Sequence, residues 1–598
     1  MRIIVYLNKF IPMKQFLKFT LASAVGLILG IFLVIFIFAA IATGGEPKEL
    51  KLSKAHILRL ELSGSIQDRV EKTPFDMYGE LFGNNVSAIG LNDILANIKK
   101  AKNDEHIKGI YLEMGFLSAG FASIQEIRNA LIDFKESGKF ITAYSEIYTQ
   151  RAYYLASVAN NISIYPEGAM ELKGLNSTVT FYTDALKKIG VEPQIIRHGK
   201  FKSAVEPFML TEMSDANREQ VETFMGSIWE QLLADIAHDR ELSPEGLNKI
   251  VDNFAIRTPK DALELGLIDS LFYKDQLQDH LANLVAEEDY KDVEFISLKK
   301  YNRVKNENAR DKFKKEKIAV IYAQGEIRSG EGSETVIGSE RISKAIRKAR
   351  LDKKVKAIVL RVNSPGGSAL ASDVIWREMT LAKAEKPLVV SMGDVAASGG
   401  YYIACAADKI YASENTITGS IGVFGILMSF EELYTEKLGL TFDQVKTNKF
   451  ADIGTTTRPL TEEEYNIIHE GVVEIYHTFT SKVAEGRNMS QENVDAIGQG
   501  RVWSGTNAMD INLIDEYGGL EKAIEGAAAL AELEDYRIYE LPVQKDPLQE
   551  LLKELGDGMQ TSWMKYQLGD QYKYYKTLKD LKHLKGVQAR MPYQFVID

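Results

Sequence analysis

Cysteine is all but absent from this sequence: Cys405 stands alone among 598 residues. A disulfide framework and a cysteine-based zinc site are therefore excluded within a single chain. Histidine is sparse as well. The eight residues are scattered, with no His-Glu-x-x-His spacing that would set two imidazoles on one helix face, so neither a metal nor a cofactor is expected. Positive charge is not in excess either. The net charge is −11, from 72 Lys and Arg against 83 Asp and Glu, which argues against nucleic acid as the main partner. What is present is the composition of a folded globular protein, 45% hydrophobic and 26% charged. The length exceeds the ~250–300 residues at which single cores stop growing, so several domains are expected.

Charge is also missing from one long stretch, FTLASAVGLILGIFLVIFIFAAIAT, Phe19–Thr43. At 1.5 Å per residue such a helix is long enough for a hydrocarbon core of about 30 Å. Arg2, Lys9, Lys14 and Lys18 precede it without an acid among them. The positive-inside rule keeps residues 1–18 cytoplasmic and sends the rest of the chain across the membrane. Ala40-Ile41-Ala42 also fits a small-x-small cleavage site, so a removed signal peptide is the competing reading. Both readings put the body of the protein outside the cytoplasm, and the first makes the lipid bilayer a partner.

The remainder is a duplication. IGLNDILANIKKAKNDEHIKGIYLEM from Ile89 aligns without a gap with IGSERISKAIRKARLDKKVKAIVLRV from Ile337, and the register holds through Tyr153–Leu172 against Tyr401–Ser420. Each copy alternates β-branched runs (IAVIYA, AIVLRV, PLVVSM) with helical patterns such as SERISKAIRKAR. That alternation predicts an α/β fold with a largely parallel sheet covered by helices. The expected organisation is a front repeat over 50–297, a basic linker over 298–317, a back repeat over 318–545 and a tail over 546–598. The linker reads as solvated or as an exposed helix. The Tyr- and Lys-rich tail reads as an extra helix, an oligomer contact or a partly disordered segment.

What each copy has lost points to chemistry. The back repeat carries GDVAASGGYYIA, in which Ser398 lies between two alanines and two glycines; its front counterpart is Gln150. The back repeat also carries RVNSPGGSA directly after a predicted strand, where the front has EMGFLSAGF. A Gly-Gly turn lets backbone N–H groups approach a ligand, as an oxyanion hole requires. The front repeat in turn carries RHGKFKSAVEPF, and its Lys202 falls opposite Ala451. One copy keeps a hydroxyl and the other an amine, the two parts of a Ser–Lys pair. The apolar neighbours Val205, Pro207 and Phe208 would desolvate that amine. His198 is a competing base. Asp394 reads as a turn or strand-end residue, and Cys405 as a packing residue.

AASGGYY, TITGSIGVFG, RVNSPGGS and GKFKSAVEPF together resemble the signature segments of the signal peptide peptidase A (protease IV) family in its long membrane-anchored form. The resemblance implies a tandem duplication of a ClpP/crotonase-like domain behind an N-terminal transmembrane helix. It implies a serine protease with Ser398 as nucleophile and Lys202 as general base. Ser420 would orient the lysine, and the backbone N–H groups of Gly366 and Gly399 would form the oxyanion hole. Signal peptides and other apolar peptides become the expected substrates, and a homotetramer the expected assembly. Two other functions stay open on the residues alone: a crotonase-like acyl-CoA enzyme, and an idle membrane-anchored scaffold that binds peptides.

Overall fold

Strands form where apolar runs are long enough to be covered on both faces. Ile57, Leu58, Leu60 and Leu62 in the first run, and Ile358, Val359, Leu360 and Val362 in a later one, are fully buried. Such continuous burial belongs to parallel sheets with helices on either side. The computed structural model describes residues 17–30, 50–70, 88–305, 315–544 and 587–591.

The front repeat lays Ile89–Gly90, His56–Gln67, Ile107–Ser118, Phe140–Tyr148, Asn161–Met170 and Ser270–Leu271 side by side, all parallel. The back repeat repeats the core of this order with Lys317–Gln324, Val355–Ser364 and Leu388–Ala397, also parallel. In each copy a late strand returns beside the first: Phe295–Ser297 in the front and Arg537–Leu541 in the back. Crossover helices bury one stripe each. Leu91, Ile94, Ile98 and Ala101 are buried in Leu91–Asn103, and Ile342, Ala345, Ile346 and Ala349 in Ser339–Leu351, the spacing of an amphipathic helix.

A third sheet joins the copies. Its order is Val336–Gly338, Glu326–Arg328, Gly366–Ser368, Gln588–Arg590, Val423–Ser429 and Glu192–His198. Glu192–His198, from the front repeat, runs antiparallel to Val423–Ser429 of the back repeat, with His198 opposite Val423 and Glu192 opposite Ser429. The described residues of both repeats accordingly fall in one compact unit. Buried polar contacts lock them further. The Arg361 guanidinium, fully buried, donates to Asp68 at 2.8 Å and to Glu126 at 2.6 Å. The Asp394 carboxylate accepts from Ser123 N at 2.8 Å and Ser123 Oγ at 2.7 Å. It thereby caps the helix Phe121–Lys135, whose N-cap residue Gly120 has no side chain to do so.

Two segments differ from the sequence reading, and a third lies partly outside the described residues. The basic stretch taken as a linker starts inside the front repeat: Tyr301 is fully buried, donates to Asp104 at 2.9 Å, and lies under the Lys100 amine. An aromatic ring with a polar handle outweighs the lysines around it. The tail contributes a strand, Gln588–Arg590, where no strand was expected. As for the expected anchor, residues 17–30 form an exposed helix in a separate unit, and 31–43 lie outside the described residues. Among the described residues no helix is long and apolar enough to cross a membrane.

Candidate active site

Lys202 reaches the back repeat because the strand before it does. Glu192–His198 ends against Val423, the chain turns at Gly199, and Lys202 precedes the short helix Ser203–Phe208. Its side chain is 0% exposed, an unusual fate for lysine. Nζ lies 2.8 Å from Ser398 Oγ, 3.0 Å from Ser420 Oγ and 3.1 Å from Ser420 O. Burial alone acts on the amine and pushes its pKa well below the ordinary 10.5. A neutral amine has two N–H donors and one lone pair. Those match the two Ser420 oxygens and the Ser398 hydroxyl proton.

Ser398 sits at a sharp bend between the strand Leu388–Ala397 and the helix Gly399–Ala404. Its backbone has φ 56° and ψ −114°, a conformation that costs on the order of 1–3 kcal/mol for a residue with a side chain. The surroundings enforce it. Ser398 N donates to Gly419 O at 2.8 Å, and Ser398 O accepts from Tyr402 N at 2.8 Å. Ser420, with φ 50°, is held by its own N–H bond to Arg501 O at 2.6 Å. The bend turns the Ser398 hydroxyl toward the lysine; its other contact is Gly422 O at 3.4 Å.

The Pro-Gly-Gly turn lies beside this bend. A Cβ on Gly366 would sit 2.6 Å from Gly399 N, so only glycine permits the approach, and its φ of +94° favours glycine as well. The amide expected as an oxyanion donor is nevertheless turned elsewhere: Gly366 N donates to Ser364 Oγ at 3.1 Å. The next residue, Gly367, faces the tail strand, opposite Ala589.

The competing candidates do other work. His198 packs on the Tyr476 ring at 4.4 Å and pairs in the joining sheet, and Ser398 Oγ has no hydrogen bond with it. Asp394 belongs to the helix cap already described. Cys405 is fully buried, its Sγ is 3.2 Å from Tyr402 O, and burial pushes the thiol up to about 12.

Two residues of this site have no signature in the sequence. Gly500 packs directly on the Lys202 backbone, and its N–H donates to Ile421 O at 2.7 Å. Gln220, on the helix Asp215–Asp239, donates to Ser203 Oγ at 2.8 Å and Phe201 O at 3.2 Å. Its Oε1 accepts from Val502 N at 3.1 Å, so one amide braces the lysine loop against the back repeat. Neither residue type marks itself; each acts through a partner distant along the chain.

A duplicated α/β fold that sets a bent, buried serine hydroxyl against a buried amine has the parts from which a nucleophilic hydrolase is built, and the comparison with known proteins gives the class. Residues 133–287 and 380–534 match peptidase family S49, one stretch in each repeat, and 310–418 match Clp protease. "Protease 4" of Salmonella typhi is 36% identical over 499 residues, spanning 80% of this chain and 79% of that protein. "Serine protease SPPA, chloroplastic" of Arabidopsis thaliana is 33% identical over 549 residues, 90% of this chain and 78% of that one. "Putative signal peptide peptidase SppA" of Enterococcus faecium is 37% identical over 196 residues, 33% of this chain and 57% of its own. The chain is a serine protease. It belongs to peptidase family S49.

Proposed function

We propose that this chain is a membrane-anchored endopeptidase with a Ser398/Lys202 dyad that degrades cleaved signal peptides and other apolar peptides. The observation that carries the reading is the 2.8 Å contact between Lys202 Nζ and Ser398 Oγ in a site that buries the amine completely.

A lysine at its ordinary pKa is protonated near pH 7 and cannot serve as a base. Burial without a carboxylate partner favours the neutral amine, and the Ser420 oxygens orient its lone pair toward the Ser398 hydroxyl. As Ser398 Oγ attacks a peptide carbonyl, Lys202 takes the hydroxyl proton. It returns that proton to the leaving amine, and the C–N bond breaks. The acyl-enzyme is then opened by water, which Lys202 deprotonates in the same way. Oxyanion stabilisation falls to the Gly399 amide and to the Pro-Gly-Gly turn. There Gly367 replaces Gly366, whose amide is engaged by Ser364. No step needs a cofactor. An acyl-CoA enzyme using the turn amides alone would leave the contact between Lys202 and Ser398 without a purpose.

Substrate and location rest on other features. The uncharged run Phe19–Thr43 behind four basic residues supports an anchor, with the catalytic body on the extracytoplasmic face. A protease held there meets apolar signal peptides, and the name of the Enterococcus faecium relative points the same way. Assembly as a homotetramer is part of the proposal through the resemblance already noted.

The test is a serine-reactive fluorophosphonate probe on the detergent-solubilised chain. Label on the peptide containing Ser398, lost in Lys202→Ala, is the expected result. Equal labelling of Lys202→Ala overturns the dyad.

A further inference from the structure

The duplication gives Ser398 a counterpart in the front repeat, and chemistry is closed there. Gln150 stands in the place of the nucleophile, and its Oε1 accepts from Lys173 N at 3.1 Å and Gly174 N at 3.0 Å. The nearby surface is open and apolar. Phe116 is 73% exposed and Ile147 56% exposed. They lie on neighbouring strands, each three residues past the pair formed by Glu113 and Tyr144. At the matching positions the back repeat has Ser364 and Val395, on the strands that lead to the Pro-Gly-Gly turn and to the nucleophile. Ser364 is fully buried and holds the Gly366 amide. The front repeat has thus exchanged a buried hydroxyl for an exposed ring beside its disused site. Two adjacent apolar side chains left in water are stabilised by whatever covers them. Exposed Ser118 and Glu146 rim the pair.

A short path of chain joins this patch to Ser398. Phe116 lies four residues before Gly120, which packs so closely on Asp394 that a Cβ there would collide with the carboxylate. Asp394 in turn lies four residues before Ser398. At no more than ~3.6 Å per residue the patch is within about 35 Å of the nucleophile, the span of about ten extended residues.

We propose that Phe116 and Ile147 form an exosite at the disused site of the front repeat, which holds an apolar stretch of a polypeptide substrate while a bond up to about ten residues away is cut at Ser398. The proposal rests on the apolar-peptide reading above. Repeat equivalence identifies the occupant: this place repeats the one where the back repeat meets its substrate, and its apolar side chains favour hydrophobic residues over polar ones. Contacts made far from the reacting bond, equal in the ground and transition states, lower KM and leave kcat alone. A peptide too short to bridge the two places gains nothing. The site therefore selects for length, taking an apolar segment of about 15–30 residues, the size of a signal peptide, in preference to its own short products.

The experiment uses two quenched fluorogenic peptides with the same scissile sequence, one of about five residues and one of about twenty with apolar flanks on both sides. The full chain is compared with Phe116→Ser and with the double variant Phe116→Ser/Ile147→Thr. Both side chains are exposed, so the core is untouched and the melting curves match the parent. For the long peptide KM rises about threefold in the single and about tenfold in the double variant with kcat unchanged, whereas KM for the short peptide is the same in every form. Phe116→Leu, which keeps an apolar side chain, retains most of the advantage of the long peptide. An unchanged KM for the long peptide in the double variant overturns the proposal and leaves the substrate reading standing. A KM that rises equally for both peptides, with a change in sedimentation, assigns the patch to a contact between copies and overturns the proposal as well. A parent chain that takes up the fluorophosphonate probe but cuts neither peptide sinks the apolar-substrate reading and the proposal with it.

Discussion

Gly500 of the back repeat lies so close to Lys202 of the front repeat that a Cβ at Gly500 would be 2.6 Å from both the Lys202 Cα and its backbone N. The φ of +86° at Gly500 disfavours any side chain as well. The position of the amine is thus set by backbone contact and not by its flexible side chain. Gly500→Ala is expected to push the Lys202 loop away and to lower kcat by about a hundredfold, the effect of roughly 1 Å of misplacement in a reacting group. A parallel melting curve checks that the chain still folds. Wild-type kcat in a folded Gly500→Ala chain would refute the argument.

Keeping Lys202 neutral in the core has a stability cost. Its folded pKa is depressed by burial, whereas the unfolded chain returns it to the ordinary 10.5. Below 10.5 the unfolded state therefore binds more protons than the folded one, and stability rises with pH. Replacing the amine by a similar apolar side chain removes the cost. Lys202→Met is expected to be inactive yet more stable than the parent near pH 7. The difference should narrow as pH rises from the depressed value toward 10.5. Urea titrations at several pH values measure it; a gap that widens with pH would contradict the burial argument.

The same depression fixes the direction of the pH–rate profile. The base form is the neutral amine, so kcat/KM is expected to rise with pH along a limb whose midpoint lies below the ordinary lysine value. Ser420→Ala removes the 3.0 Å contact and leaves the backbone one at 3.1 Å. Loss of one orienting contact, with the base itself kept, is expected to lower kcat about tenfold, less than the ~10²–10⁴-fold of losing a general base outright. Loss as complete as in Ser398→Ala would make Ser420 a primary participant.

Arg361 ties the repeats together through a buried ion triad. Arg361→Met leaves Asp68 and Glu126 buried without a cation and is expected to cost about 3–5 kcal/mol. Replacing all three by apolar residues should be much less damaging, because no unpaired charge remains. Denaturant melts of the single and triple variants test this, and equal destabilisation by both would show that the charge pairing is not the cause.

Asp394 separates structure from chemistry close to the nucleophile. Its carboxylate caps Phe121–Lys135, so Asp394→Ala is expected to lose about 1–2 kcal/mol of stability while Ser398 still reacts with the probe. Loss of labelling in a folded Asp394→Ala chain would move this residue into the catalytic machinery.

Periodicity and composition act locally, and what they determine was already legible in the chain. The paired apolar runs specify parallel strands in both halves, and the two copies serve as a comparison for one another. That comparison singles out Ser398 against Gln150 and Lys202 against Ala451 without any structure. Tertiary structure decided the rest. The 2.8 Å separation exists because Glu192–His198 adds to a sheet of the other repeat. The Gly366 amide turns to Ser364 because of the local bend, which residue types do not encode. Gly500 and Gln220 matter only through partners far along the chain, and VQARM becomes a strand only because an open sheet edge is waiting for it. Hydrogen-bonding capacity is nearly the same at every residue, so which edge a segment finds depends on what the remainder of the fold leaves uncovered.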